Sequence, residues 1–121
     1  MRWHRLALLL AVSGCTAAGQ CTQVGCVSQL TLTLPAGVSA ATACVAGVCS
    51  SEVVGGTLLV PLGRRAEGET AAVTVTLPGT TTAYEGTVPL TRTRPNGSRC
   101  PPVCVSGDAR LDVAGGRVVA G

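Results

Sequence analysis

The sequence predicts an all-β domain, a small antiparallel β-sandwich stapled by disulfides, and three observations carry that expectation. Three runs alternate strictly between apolar and polar residues, as half-buried strands do: Leu30-Thr31-Leu32-Thr33-Leu34, Val73-Thr74-Val75-Thr76-Leu77 and Ala109-Arg110-Leu111-Asp112-Val113. No segment spaces its apolar residues by three and four, so helices are not expected, nor the parallel sheets that helical crossovers build. Seven cysteines in 121 residues point to covalent staples.

In chain order, the first strong strand, at 30–34, ends at the turn Pro35-Ala36-Gly37. Weaker strands are expected at 42–45, 48–54 and 57–62, the last two divided by Gly55-Gly56. The run at 73–77 stops at Pro78-Gly79, a strand at 85–93 stops at Pro95-Asn96-Gly97, and the run at 109–113 is followed by Gly115-Gly116 and a strand at 117–119. Seven or eight short strands over about a hundred residues suit an Ig-like or transthyretin-like sandwich, although the Cys-Trp-Cys hallmark of antibody domains is missing. Pro61 and Pro89 fall inside expected strands and remove ladder donors, so each belongs at a sheet edge or a bulge. The core must be Val, Leu and Ala, and a domain of this size buries only about two thirds of its chain surface, so it depends on its bridges.

Residues 1–15 are a basic start (Arg2, Arg5), a short apolar stretch (Leu6 to Val12) and small residues before Cys15, the pattern of an export signal. Seven helical residues rise only about 10 Å, too little to span a ~30 Å hydrocarbon core. The run Val12-Ser13-Gly14-Cys15 resembles the lipobox of bacterial lipoproteins at all four positions. That resemblance implies cleavage after Gly14, a thioether diacylglycerol on Cys15 and acylation of the new amino group. The plainer alternative is an ordinary cleaved signal with Cys15 near the cut. Cysteine arithmetic favours the lipid, because setting Cys15 aside leaves six: Cys21, Cys26, Cys44, Cys49, Cys100 and Cys104. The expected organisation is a signal peptide over 1–14, a lipidated cysteine and tether over 15–25, and the sandwich domain over 26–121. A tether of six steps from Cys15 to Cys21 reaches at most ~20 Å.

The six remaining cysteines are candidate disulfide partners. If Ala46-Gly47 is a two-residue turn, Val45 and Val48 pair first and Cys44 faces Cys49 across the next, narrow pair, with Cα atoms about 4.5 Å apart. Ala46 suits the required positive φ poorly, and a four-residue loop is the alternative. Nearest-neighbour pairing, Cys21 with Cys26 and Cys100 with Cys104 as well, is preferred among the 15 possible connectivities. A thiolate zinc site or a Cys-x-x-x-Cys copper site is disfavoured, since such sites usually add His or Met; His4, Trp3 and Met1 all lie in the leader, and no metal is expected. Together with the Cys-x-x-x-x-Cys spacing and the Cys44 to Cys49 hairpin, the closing run Pro95-Asn96-Gly97-Ser98-Arg99-Cys100-Pro101-Pro102-Val103-Cys104 looks like small cysteine-rich actinobacterial lipoproteins. That likeness brings no activity, catalytic residue or ligand residue with it.

Other polar residues have simple structural explanations. Glu67 and Glu69 suit a solvated loop, Asp112 the outer face of its strand, Tyr84 plain packing rather than a tyrosine corner or binding contact, and Asn96-Gly97-Ser98 a turn rather than a glycosylation site. A mature chain without His cannot pair a nucleophile with the usual base, so no catalytic residue and no enzyme is expected. Without the leader, seven arginines face six acids, and Arg64-Arg65 sits beside acids with no aromatic, which argues against nucleic acid. The expected function is a non-enzymatic module anchored by lipid at the extracytoplasmic face of the cell membrane. It carries no cofactor beyond the lipid and meets an envelope protein or wall component. A small-ligand-binding or sensor lipoprotein is the alternative.

Overall fold

The structure, a computed structural model, describes residues 21–63 and 70–121. The expected signal peptide with Cys15, and the expected solvated loop with Arg64, Arg65, Glu67 and Glu69, lie outside the described residues.

Where apolar and polar residues alternate, the chain forms strands, ten in all among the described residues. They are β1 (Gln29–Thr33), β2 (Thr42–Val45), β3 (Val48–Ser50), β4 (Val53–Val54), β5 (Thr57–Pro61), β6 (Thr70–Thr76), β7 (Ala83–Pro89), β8 (Thr91–Thr93), β9 (Cys104–Asp112) and β10 (Arg117–Ala120). Two of the expected strands, at 48–54 and 85–93, are each broken into two. The break between β7 and β8 lies at Leu90, which turns inward to pack against the core. Turns fall where their chemistry demands. Val38 N donates to Pro35 O (3.1 Å), Thr80 N to Leu77 O (3.3 Å) and Gly97 N to Arg94 O (3.1 Å). Gly55 and Gly56 both have positive φ, 60° and 77°, as the tight β4–β5 hairpin requires.

The strands make one hydrogen-bonded sheet in the order β3-β2-β6-β7-β10-β9-β1-β5-β4, with β8 paired to β9 beside this path. Most pairs are antiparallel, but β1 runs parallel to β9 over five residues and β10 meets β7 in a parallel bridge at Arg117 and Glu85. The sheet is therefore mixed, which corrects the purely antiparallel expectation. Parallel neighbours need a long connection, and a helix is only its usual form. Here the connection between β1 and β9 is the rest of the domain, strands β2 to β8.

The sheet curls, bringing β2 and β3 at one end of the order against β5 near the other. Inside the curl lie the inward residues of each alternating strand: Leu30 and Leu32 of β1, Leu58 and Val60 of β5, Val73 and Val75 of β6, Val88 of β7 and Leu111 of β9, all nearly or fully buried. Among the described residues none that is polar or charged is buried, so the core is an aliphatic one of small side chains. Two glycines let it close. A Cβ on Gly86 would fall on the Val118 carbonyl where β7 and β10 cross, and one on Gly107 would come within 2.8 Å of Leu90 Cδ2. Pro61 ends β5 beyond the short β4, and Pro89 ends β7 beyond its one bridge to β10, so each sits where only one neighbouring strand is paired.

Candidate functional site

Residues 21–28 precede β1 without forming a strand, yet two disulfides and several side-chain hydrogen bonds fasten them. Cys21 is bonded to Cys100 (Cα–Cα 5.5 Å) and Cys26 to Cys104 (Cα–Cα 6.0 Å). Between the two bridges, Asn96 uses every hydrogen-bonding position of its amide. Its Oδ1 accepts from Thr22 Oγ1 (2.7 Å) and Val24 N (3.0 Å), and its Nδ2 donates to Val24 O (2.9 Å) and Pro101 O (2.7 Å). Ser28 completes the attachment: its Oγ accepts from Val105 N (2.9 Å) and its carbonyl from Leu62 N (3.0 Å). Residues 21–25, expected to be tether, are thus held to the 94–104 loop.

The two bridges correct the nearest-neighbour expectation for Cys21, Cys26, Cys100 and Cys104. No turn forms between Cys21 and Cys26; Thr22 and Val24 are instead laid against Asn96. An extended run of five residues spans about 16 Å, well beyond the ~7 Å limit for Cα atoms joined by a disulfide. The observed pairing continues the parallel register of β1 and β9 backwards. Gln29 faces Ser106, an offset of 77, and the bridges upstream have separations of 78 and 79. A readable signal did exist, because each cysteine pair stands just ahead of a strongly alternating strand, at similar spacing. Its use required knowing that those two strands are neighbours.

The third bridge follows the local geometry expected of it. Cys44 faces Cys49 in the β2–β3 hairpin with Cα atoms 4.0 Å apart, one pair beyond Val45 and Val48. Ala46 takes φ 49° and Gly47 φ 81°, so the two-residue turn is adopted in spite of the alanine.

Beside the stapled segment lies a groove of about 770 Å³, walled by Val27, Pro61, Pro102 and Val103, with Arg92 and Arg94 at its margin. Val27 is 70% exposed and Val103 44%, so both of these apolar walls of the groove face solvent. A second groove, of about 560 Å³, lies at the other end of β9 near Pro35, Val38, Arg110 and Asp112. Asp112 serves its own turn, accepting from Gly115 N (2.9 Å) with Arg117 Nε 3.9 Å away. Tyr84 packs against the core, half-buried. Among the described residues no three His, Cys, Asp or Glu side chains cluster as metal ligands would, and the six cysteines are all in disulfides. The site is thus an attachment point with a basic and apolar margin. Sequence reasoning missed Asn96 and Ser28 as members of it, because their partners lie up to 77 residues away, and Arg94, because the groove it lines forms only when residues 26–28 meet 102–105.

No family model matches the chain, and no curated protein or solved structure matches it either.

Proposed function

We propose that this protein is an exported lipoprotein: residues 1–14 are a signal peptide removed after Gly14, Cys15 carries the lipid, and a sandwich-like domain stands at the extracytoplasmic face of the cell membrane. Its role there is non-enzymatic, binding or bracing an envelope protein or a wall component.

The observation that carries this reading is the cysteine count. Cys15 ends a complete lipobox, and the six cysteines after it pair among themselves, leaving Cys15 the odd one and free for a thioether. Disulfides also suit an oxidising compartment outside the cytoplasm. Two or more acyl chains on one residue meet the requirement for stable anchoring, at ~0.8 kcal/mol per buried CH₂. The attachment of residues 21–28 fits a molecule held by its N-terminus, since pulling on the tether loads two covalent bonds rather than a frayed strand end.

Mass spectrometry of the membrane fraction tests this. The expected result is an N-terminal peptide that begins at diacylated Cys15, with Cys15→Ser abolishing both lipid and membrane retention. An unmodified Cys15 in protein released to the medium refutes it.

A further inference from the structure

We propose that the face around the stapled segment lies against the membrane, with Val24, Val27 and Val103 entering the interface and Arg94 and Arg99 resting on anionic lipid headgroups. The inference rests on the lipid anchor proposed above.

Distance is the first argument. A lipid on Cys15 keeps Cys21 within ~20 Å of the interface. Cys21 is bonded to Cys100, so the 94–104 loop is confined with it. Whatever else the domain does, this end is its membrane-proximal one.

Surface chemistry is the second. Val24 (54% exposed), Val27 (70%) and Val103 (44%) are three of the seven exposed large apolar residues among those described, and all three flank the two bridges. Their apolar surface gains from leaving water. Arg94 and Arg99, both exposed, stand on the same loop, and Arg94 Nη1 donates only to a neutral carbonyl, that of Ser98 (3.2 Å), in the contact it makes there.

Charge placement is the third. The described acids lie away from this end. Glu85 and Asp112 both face Arg117, at the far end of β7 and β9, and Asp108 lies midway along β9. Glu52 lies just before β4, whose Val53 pairs with Leu58, itself opposite Leu32. Strand β9 alone puts about 26 Å between Cys104 and Asp112. Residues 64–69 carry two arginines and two glutamates, so they add no net charge wherever they lie. An anionic surface is therefore met by cations at the tethered end, while the four described acids, Glu52, Glu85, Asp108 and Asp112, stay clear of it. Each arginine near such a surface shifts the docked population by about fivefold, so the pair supplies about 25-fold.

Hydrogen exchange on the lipidated full-length product tests this, in vesicles of 30% phosphatidylglycerol in phosphatidylcholine and in phosphatidylcholine alone. The expected result is at least tenfold slower exchange of the Val27 and Val103 amides in the anionic vesicles, lost at 0.5 M NaCl and in Arg94→Gln/Arg99→Gln. The control Arg110→Gln/Arg117→Gln should keep the protection. Equal exchange in both vesicle types, with the Cys15 peptide lipidated by mass, overturns the docking and leaves the anchor standing. Equal protection in neutral detergent micelles shows that anionic headgroups do not set the docking, and also overturns it. An unlipidated Cys15 peptide removes the anchor and the docking together.

Discussion

Asn96 shows how much one side chain can hold when its partners are distant in sequence. Three of the four hydrogen bonds of this one amide join residues 22 and 24 to the turn that precedes Cys100, and the fourth holds the Pro101 carbonyl. Both Nδ2 hydrogens are engaged, and the backbone bond from Gly97 N to Arg94 O makes this stretch a turn. We expect Asn96→Ala to lower stability by about 1–2 kcal/mol, because it removes four solvent-exposed hydrogen bonds at once and water then takes over the freed groups; chemical denaturation measures this, and a loss under ~0.5 kcal/mol rejects it. Gly86 is a different kind of essential residue. An added Cβ meets backbone at Val118, which cannot swing aside as a side chain would, so Gly86→Ala should cost about 2–3 kcal/mol. Gly25, with no atom within 4 Å of an added Cβ, is the control: Gly25→Ala should be neutral or stabilising by up to ~1 kcal/mol.

The disulfides divide by the elements they join. Cys44–Cys49 closes a ring of five residues' separation within one hairpin, and its removal as Cys44→Ser/Cys49→Ser is expected to cost ~2 kcal/mol. The other two join residues 78 and 79 apart, but they run side by side. With one in place, the second closes only a ring of about ten residues, so losing either alone should cost ~3 kcal/mol and losing both ~7 kcal/mol. Thermal melts of the three double-serine variants and of the quadruple variant measure this. A larger loss at Cys44–Cys49 than at either long bridge, or a quadruple variant no worse than one lacking a single long bridge, would show that the bridges do not act through chain entropy. The break between β7 and β8 belongs to this scale too. Leu90 leaves the strand to reach the core, and Gly107 on β9 leaves room for it.

For the whole molecule, a core of Leu, Val and Ala without Phe or Ile leaves a narrow margin over a chain entropy of ~1–2 kcal/mol per residue. The bridges make up the margin. Full reduction should therefore abolish cooperative melting near the oxidised midpoint, and a reduced protein that melts at the same temperature would contradict this dependence. The mixed sheet has the same origin as the bridges. Once β1 lies beside β9, the segments ahead of each are brought together in parallel, and the cysteines in them pair across the chain.

What could be read directly in the residues is what short-range physics decides. Alternation at 30–34, 73–77 and 109–113 marks strands because side chains on a pleated backbone point to opposite faces. Gly55-Gly56 and Ala46-Gly47 mark tight turns, and Cys44 meets Cys49 because the turn between them sets the register. The run Val12-Ser13-Gly14-Cys15, too, is a linear pattern, and the lipid anchor proposed from its resemblance to a lipobox depends on no fold. Tertiary structure alone decided the strand order, the parallel pairing of β1 with β9, the Cys21–Cys100 and Cys26–Cys104 bridges, and the place of Asn96. Each of these depends on which of many similar Val- and Thr-rich strands becomes a neighbour. That choice is made by closing one aliphatic core over the whole chain, and no local preference distinguishes one strand from the next.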